Sequence, residues 1–307
     1  MIFFACKEQH DIEVSKLIKN EDFYNNRVED NYLNSSFWNQ FGDYYIQNNQ
    51  LKKGIECFEK SFSLDSSNYN LSFKLSEFFL KQLSLRKSHK YLENCLRIDS
   101  LKTQPYLNLA QLYIFKADYN SALKFINLGL KKNRYLPQGY CMKGICYKHI
   151  RDTIGALSSF KTAIEIDPDY FSAYTELGLM LTMQNDSNAI HYYKNGLSVL
   201  PQNIEAWFGL CWAYQSFGKN DLAMNEYKRL ILVYPKHINS KFNLGLIYLE
   251  RGEVEMAKEM FNQIIEVEPK HIDALINLYK CYKLEGDNNK YNEMMYRISV
   301  IDSTYFL

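Results

Sequence analysis

Two histidines occupy matching places in two nearly identical pentapeptides. His237 lies in "PKHIN" (235–239), and His271 lies in "PKHID" (269–273), 34 residues further on. Imidazole titrates near neutral pH and is a common metal ligand, so this pair is the first candidate for chemistry. No further ligand stands near either histidine at zinc-site spacing, and duplication of a loop explains the pair without a metal. We therefore expect no metal site and no cofactor.

The other reactive residue types also show no catalytic pattern. The sequence contains no GxxxxGK[ST], GxGxxG, HExxH or GxSxG motif. Carboxylates such as Glu253, Glu255 and Glu259 lie in polar helical stretches, where solvated charge is the ordinary state. Seven scattered cysteines form no CxxC pair and no disulfide framework, and we expect buried thiols. The chain is therefore predicted not to be an enzyme.

The composition narrows the class of protein further. The 307 residues include 36 Lys and Arg against 35 Asp and Glu, and this balance argues against a nucleic-acid partner. No uninterrupted apolar run reaches about 18 residues, so no transmembrane helix is predicted. Only 13 Gly and 6 Pro accompany an abundance of large apolar residues, which favours helices.

The chain repeats itself with a period close to 34 residues. The phrases "ALSSFKTAIEIDP" (156–168), "AMNEYKRLILVYP" (223–235) and "AKEMFNQIIEVEP" (257–269) share one pattern, and prolines stand at 168, 201, 235 and 269. Aligned on these prolines, the sequence divides into eight units, which are 35–68, 69–102, 103–136, 137–170, 171–203, 204–237, 238–271 and 272–305. Residues 1–34 form an N-terminal segment, and 306–307 are a tail.

Each unit has the pattern of two antiparallel helices. The eighth position is small in seven units and the twentieth is usually Ala, as in Gly144 and Ala156, so two helix backbones can approach closely. The eleventh and twenty-fourth positions are large, as in Tyr147 and Phe160, and fill the space beside them. Positions 4, 7, 8 and 11 share one helix face. The unit 171–203 is one residue short, and we place its deletion in the turn "QNDSN" (184–188).

This period and these columns resemble the tetratricopeptide repeat family, whose unit is a 34-residue helix–turn–helix. The resemblance covers about nine-tenths of the chain. Unit 137–170 matches best, with Tyr140, Gly144, Tyr147, Ala156, Phe160, Ala163 and Pro168 in the slots of the family. It departs at Lys143, and Ser66 and Ser100 replace the expected proline in two early units. The resemblance implies an all-α solenoid, a right-handed superhelix with a concave groove lined by the first helices.

In that family, positions 2, 5, 9 and 12 of each unit tend to face the groove. The early units place polar residues there, which include Asn39, Asp43, Asn70 and Gln104. The later units place apolar residues there, which are Leu179, Phe208, Trp212, Phe242, Leu246 and Ile276. The resemblance therefore predicts a protein or peptide ligand, a helix or an extended segment, against the apolar part. The alternative is that these side chains pack against neighbouring units.

Known subclasses give a limited guide to the ligand. No unit has Lys at position 5 with Asn at position 9, so the carboxylate clamp of co-chaperones is not expected. Three of the eight units carry an asparagine at position 6, and these residues are Asn108, Asn243 and Asn277. They resemble the asparagine ladder of the repeat arm that is linked to glycosyltransferases. RNA-binding helical repeats need a basic groove, whereas the acidic residues Glu205 and Asp273 lie at the predicted groove of this chain.

The leading functional prediction is a non-catalytic scaffold for protein–protein interaction. One alternative is an accessory subunit that positions a separately encoded envelope or sugar-modifying enzyme. Another is a structural protein that self-associates through Tyr291 and Met295 on its last helix.

The N-terminus carries a separate prediction about location. Four apolar residues, Ile2 to Ala5, precede Cys6 and are too few for a secretory signal. The segment "FFAC" nevertheless resembles the end of a bacterial lipobox, in which the cysteine is lipidated. Cys6 is thus a candidate lipid anchor, and the predicted location is the bacterial cell envelope. The alternative is a cytoplasmic protein whose apolar N-terminal residues are buried.

Overall fold

The computed structural model describes residues 21–302, and within this range the regular structure is entirely helical. A short helix, α1 (Glu21–Asn25), precedes sixteen helices of 12 to 14 residues. The helices in the first half are α2 (Ser35–Gln47), α3 (Leu51–Leu64), α4 (Tyr69–Lys81), α5 (Leu85–Ile98), α6 (Gln104–Phe115), α7 (Tyr119–Lys132) and α8 (Pro137–His149). Those in the second half are α9 (Thr153–Ile166), α10 (Phe171–Met183), α11 (Asn188–Val199), α12 (Ile204–Ser216), α13 (Asn220–Val233), α14 (Ile238–Glu250), α15 (Val254–Val267), α16 (Ile272–Glu285) and α17 (Asn288–Ile301).

The chain divides into two compact units, each of which holds several repeats. We call the part that ends at Asp152 the first unit and the part that begins at Thr153 the second unit. In the first unit, α2 pairs with α3, α4 with α5 and α6 with α7, and each pair packs against the helix that follows it. In the second unit, α10 pairs with α11, α12 with α13, α14 with α15 and α16 with α17, again with each pair against the next. Because each helix packs mainly on its neighbours in sequence, each unit is a helical array without a single central core. The predicted all-α helix–turn–helix architecture is confirmed.

Small residues allow the close approach of paired helices, as their columns predict. A Cβ atom on Gly178 of α10 would lie 3.0 Å from the ring of Tyr193 on α11. A Cβ atom on Gly245 of α14 would lie 2.8 Å from the ring of Phe261 on α15. Both rings are almost fully buried. A small residue on one helix therefore makes room for the large residue on its partner.

The turns inside the helix pairs share one backbone conformation. At the same place in each of eight turns, one residue has a positive φ, and these residues are Asn49, Leu83, Ala117, Arg151, Asn185, Gly218, Gly252 and Gly286. Glycine adopts this left-handed conformation without strain, and other residues do so at a cost. Their spacing is 34 residues except between Asn185 and Gly218, where it is 33. The spacing from Arg151 to Asn185 is still 34 residues, whereas Ala189 follows Ala156 by only 33. The deletion therefore lies between 185 and 189, within the predicted turn.

Candidate functional site

Six apolar residues recur at two positions of the first helices in the second unit. Leu179 lies on α10, Phe208 and Trp212 on α12, Phe242 and Leu246 on α14, and Ile276 on α16. Residues four apart in a helix lie on one face, so the pairs on α12 and α14 face the same way. All six are half-buried, so each keeps part of its surface in solvent. We call this set the apolar row.

Two rings of the apolar row also contribute to internal packing. Phe208 lies 6.1 Å from the ring of Tyr227 and 5.2 Å from that of His237, between centroids. Phe242 makes the corresponding contacts one repeat later, 5.8 Å from Phe261 and 5.7 Å from His271. The two phenylalanines therefore serve the packing of the array as well as its surface.

The two histidines act as caps of the helices that follow them. His237 Nδ1 accepts the backbone N–H of Ser240 at 3.3 Å, and His271 Nδ1 accepts that of Ala274 at 3.2 Å. A side chain that accepts this bond satisfies one free N–H of the first helical turn. Burial lowers the pKa of His237, which favours the neutral imidazole that this bond requires. The structure thus gives the "PKHIN" and "PKHID" histidines a structural role.

Trp212 differs from the other two tryptophans of the chain in its hydrogen bonding. The indole N–H of Trp38 donates to the carbonyl of Tyr32 at 3.0 Å, and that of Trp207 donates to Glu226 at 2.9 Å. Among residues 21–302, the Trp212 indole N–H has no acceptor and its ring has no aromatic partner. A half-buried indole without a partner is the side chain in the apolar row most available to a ligand.

A chain of polar groups, buried at Tyr227 and half-buried at its two ends, lies between α12, α13 and α14. The Tyr227 hydroxyl donates to Gln215 Oε1 at 3.0 Å and accepts from Asn243 Nδ2 at 3.0 Å. Burial raises the pKa of the Tyr227 hydroxyl, which stays protonated. Asn277 donates instead to the carbonyl of Asp273 at 2.8 Å. Two of the three asparagines that resemble the ladder, Asn243 and Asn277, are therefore engaged inside the second unit.

Two buried polar atoms among the described residues lack a hydrogen-bond partner, and both lie at position 5 of a first helix. They are Asn39 Oδ1 on α2 and Thr175 Oγ1 on α10. Thr175 occupies the position on α10 that Phe208 occupies on α12. An unpaired buried oxygen is costly, so it marks a place where a bound water or ligand group gains a hydrogen bond. Thr175 was not among the predicted site residues, although its column is that of Phe208.

The predicted polar residues of the first unit have varied surroundings. The Asp43 carboxylate accepts a hydrogen bond from Lys74 Nζ at 2.6 Å, so the two side chains form an ion pair with each other. Gln104 donates to Asn108 Oδ1 at 3.0 Å on the same helix. Asn39 is half-buried and Asn70 is exposed. The structure does not join these four residues into one hydrogen-bonded cluster within its described range.

The remaining predicted residues lie at or beyond the ends of the described chain. Cys6 lies outside the described residues, so lipidation there stays a prediction. Tyr291 stacks on Tyr279 at 4.6 Å between centroids, and their hydroxyls are 3.2 Å apart. Met295 is 36% exposed on α17. Self-association through these two residues also stays a prediction.

The reactive groups of residues 21–302 form no metal-binding cluster of three or more His, Cys, Asp or Glu side chains. The six cysteines in this range are all buried, and burial raises the pKa of the Cys95 thiol to about 12. No helix in the same range has the length and apolar character needed to cross a bilayer.

The repeated helix pairs place the chain among all-α repeat arrays. The sequence model of the family described as "Tetratricopeptide repeat" matches residues 35–68, 103–131, 137–170 and 238–271. The chain therefore contains tetratricopeptide repeats. These ranges fall on four of the eight predicted units, and the division into eight units stays a prediction. This fold is typical of non-catalytic scaffolds for protein interaction.

Curated relatives match only part of this chain. Protein bimA of Emericella nidulans is 30% identical over 92 residues, which are 30% of this chain and 11% of that protein. Anaphase-promoting complex subunit 3 of Schizosaccharomyces pombe is 24% identical over 188 residues, 59% of this chain and 28% of that protein. The chain thus matches about a tenth to a quarter of the length of these relatives.

Solved structures show the same fold at low sequence identity. The C-terminal part of a repeat protein from Cytophaga hutchinsonii has a TM-score of 0.62 at 16% identity, covering 76% of this chain and 96% of that one. The anaphase-promoting complex assembly Cut9–Hcn1 has a TM-score of 0.60 at 13% identity, covering 84% and 51%. YrrB, described as having an unusual peptide-binding site, has a TM-score of 0.51 at 22% identity, covering 60% and 95%.

Proposed function

We propose that this protein is a non-catalytic scaffold and that the apolar row of its second unit binds an apolar segment of a partner protein. The observation that carries the proposal is Trp212, which is half-buried and has neither an acceptor for its N–H nor an aromatic neighbour in the described chain. Large aromatic side chains of this kind dominate binding energy at protein interfaces. The repeat proteins similar to this chain include subunits of a multiprotein complex and a protein with a peptide-binding site, which supports the same class of function.

The spacing of the apolar row favours a helix or an extended segment with regularly spaced apolar side chains. The row places one or two large apolar residues on each of four successive first helices, so a partner can contact several repeats at once. Position 2 of the same helices carries the exposed carboxylates Glu205 and Asp273. Residues 153–302 hold 19 Asp and Glu against 14 Lys and Arg, a net charge of −5. We therefore expect basic residues beside the apolar residues of the partner segment.

A peptide-display selection tests this function. Random peptides of about 16 residues, long enough to span several repeats, are selected on the full chain. The dissociation constant of each peptide is then measured with the wild type, with Trp212→Ala and with Leu232→Ala. Leu232 is 82% exposed on the second helix α13, which makes it a matched apolar control. Circular dichroism checks that both variants stay folded.

The proposal predicts that Trp212→Ala weakens the binding of the selected peptides by about 2 kcal/mol, or about thirtyfold in the dissociation constant, because it removes a central aromatic contact. Leu232→Ala is expected to leave their affinity unchanged. Peptides that bind the folded Trp212→Ala variant as tightly as the wild type would contradict the proposal.

Self-association through α17 is a second candidate, which the exposed apolar residues of this helix favour. Tyr296 is 70% exposed and Val300 is 67% exposed, one helical turn apart. A concentration-dependent mass that returns to that of a monomer in Tyr296→Ser/Val300→Ser supports this candidate. A monomeric wild type at high concentration counts against it.

A further inference from the structure

The first unit contains a strongly basic stretch that the balance of the whole chain conceals. Residues 81–151 hold 14 Lys and Arg against 3 Asp and Glu, a net charge of +11, whereas the full sequence has a net charge of +1. A local excess of one sign creates a field that attracts partners of opposite charge. This stretch covers helices α5 to α8 and the turns between them.

Five of these basic residues lie on one edge of the first unit. We call this set the basic edge: Arg97 at the end of α5, Lys102 in the next turn, Lys131 and Lys132 at the end of α7, and Arg134 after it. All five are exposed. A Cβ atom on Gly129 would lie 3.7 Å from the Thr103 carbonyl oxygen and 3.3 Å from Tyr106 Cβ. The turn before α6 therefore packs against the last turn of α7, which brings the two groups of positive charge together.

Carboxylates hardly neutralise the basic edge. Asp99 lies in the same turn, where it is half-buried and accepts the backbone N–H of Leu101 at 2.9 Å. Arg97 donates to the neutral Asn94 and Ser66 side chains. Within residues 21–302, none of the five basic residues forms an ion pair with a carboxylate. The turn one repeat earlier adds the exposed Asp65, next to the Ser66 that accepts from Arg97, so the edge presents five positive charges beside two negative charges.

Apolar side chains project from the same edge. Leu101 is 73% exposed in the turn that carries Lys102, and Tyr135 is 65% exposed beside Arg134. Ile98 follows Arg97 and is 37% exposed. Exposed leucine and isoleucine gain nothing from phosphate groups alone, whereas basic residues beside apolar ones suit the boundary between lipid headgroups and acyl chains.

We propose that the basic edge docks this protein on an anionic phospholipid surface, with Leu101 and Tyr135 entering the headgroup region. A nucleic acid fits less well because its bases stack on open aromatic faces. The only exposed aromatic ring of this edge within the described chain, Tyr135, has the Arg134 guanidinium 5.1 Å from its centroid. The proposal is independent of the apolar row, which lies in the other unit.

Vesicle flotation with the full chain tests the proposal. The vesicles contain phosphatidylcholine alone or with about 30% phosphatidylglycerol, at low and high salt. The test variant is Lys131→Gln/Lys132→Gln, and the matched control is Lys236→Gln/Lys270→Gln. The control removes two exposed lysines from turns after second helices in the second unit. All variants keep residues 1–20 unchanged, so any contribution of that segment cancels.

The expected result is binding to the phosphatidylglycerol vesicles that high salt weakens. Lys131→Gln/Lys132→Gln lowers this binding about thirtyfold, because each lysine near an anionic surface contributes about a factor of five. Leu101→Ser lowers it about tenfold and leaves binding to a labelled DNA oligonucleotide unchanged. The control variant binds vesicles as the wild type does.

Three results would overturn the proposal. The first is a full chain that does not float with phosphatidylglycerol vesicles. The second is vesicle binding that the test and control variants reduce equally, which indicates unspecific charge attraction. The third is an oligonucleotide bound more tightly than the vesicles through Lys131 and Lys132, which assigns the basic edge to a nucleic acid. Circular dichroism of each variant confirms that the substitutions leave the fold intact.

Discussion

Replacing His237 by asparagine is expected to remove a pH-dependent part of the stability of α14. Asn203 occupies the equivalent position one repeat earlier and caps α12 by accepting the N–H of Ala206 at 2.8 Å. Asparagine at 237 therefore preserves a cap and does not titrate between pH 5 and 8. It removes the imidazole contact with Phe208, whose ring centroid is 5.2 Å away.

The direction of the pH effect follows from the hydrogen bond and from burial. Protonated imidazole has no free lone pair at Nδ1, so protonation breaks the cap of α14, which is worth about 1 kcal/mol. Burial lowers the pKa of His237 in the folded chain. The folded chain then binds fewer protons than the unfolded chain just below pH about 6.5, the ordinary pKa of histidine. The stabilisation is complete above that pH and is lost as the pH falls.

Amide hydrogen exchange at Ser240 measures this effect locally, because Ser240 donates the capped N–H. Between pH 8 and pH 5, after correction for intrinsic exchange, the wild type is expected to lose about 1 kcal/mol more protection than His237→Asn. At pH 8 the variant is about 0.5–1 kcal/mol less stable, through the lost ring contact. His149→Asn is the control, since His149 stacks on Tyr119 at 4.5 Å and lies at the C-terminal end of α8. Equal loss of protection in wild type and His237→Asn would refute the capping mechanism.

Three further substitutions test the packing, the turns and the polar chain through Tyr227. Gly209→Ala is expected to cost about 1–2 kcal/mol, because the new Cβ would lie 2.5 Å from Cζ of the buried Tyr193, and overpacking outweighs the gain in helix propensity. Leu83→Gly is expected to stabilise the first unit by about 0.5 kcal/mol, since relief of the positive φ of 54° exceeds the added entropy of the unfolded chain. Tyr227→Phe is expected to cost about 1–2 kcal/mol by leaving Asn243 without its acceptor. Urea unfolding followed by circular dichroism measures all three.

Each of these predictions has a reciprocal control. Adding Tyr193→Leu to Gly209→Ala is expected to recover part of the lost stability. If the costs of the two substitutions simply add in the double variant, the proposed clash between the new Cβ and the Tyr193 ring is contradicted. Gly252→Leu, at the same place in another turn, is expected to destabilise, and no effect there would argue against strain at Leu83. Phe261 occupies the position of Tyr227 one repeat later, so Phe261→Leu tests packing alone. Tyr227→Phe as stable as the wild type would show that the hydroxyl contributes nothing.

The repeat period made most of the fold predictable. Columns of small and large residues determine which helix faces meet, as Gly178 and Tyr193 show at 3.0 Å. The missing residue of one unit was predictable for the same reason, because a deletion is tolerated in a turn and not in a packed helix. The helix caps were predictable in principle, since Asn34, Asn68 and Asn203 stand in the column that contains His237.

The candidate site was predictable only in part. The columns indicate which residues share a face, but they do not distinguish Phe208, which packs on His237, from Trp212, whose indole has no partner in the described chain. That difference depends on which side chains the neighbouring helices place opposite each ring. The basic edge was missed for another reason, because the net charge of +1 averages two oppositely charged halves. Counting charge over windows of two repeats would have revealed it.

Site-specific photo-crosslinking tests the central claim most directly. A benzoylphenylalanine residue replaces Trp212 in one variant and the exposed Leu232 in another, and each full chain is irradiated in its native cell. The account predicts a discrete protein adduct from position 212 that is absent from position 232. Adducts of equal yield at both positions, or none at 212 in a folded variant, would contradict a partner on the apolar row.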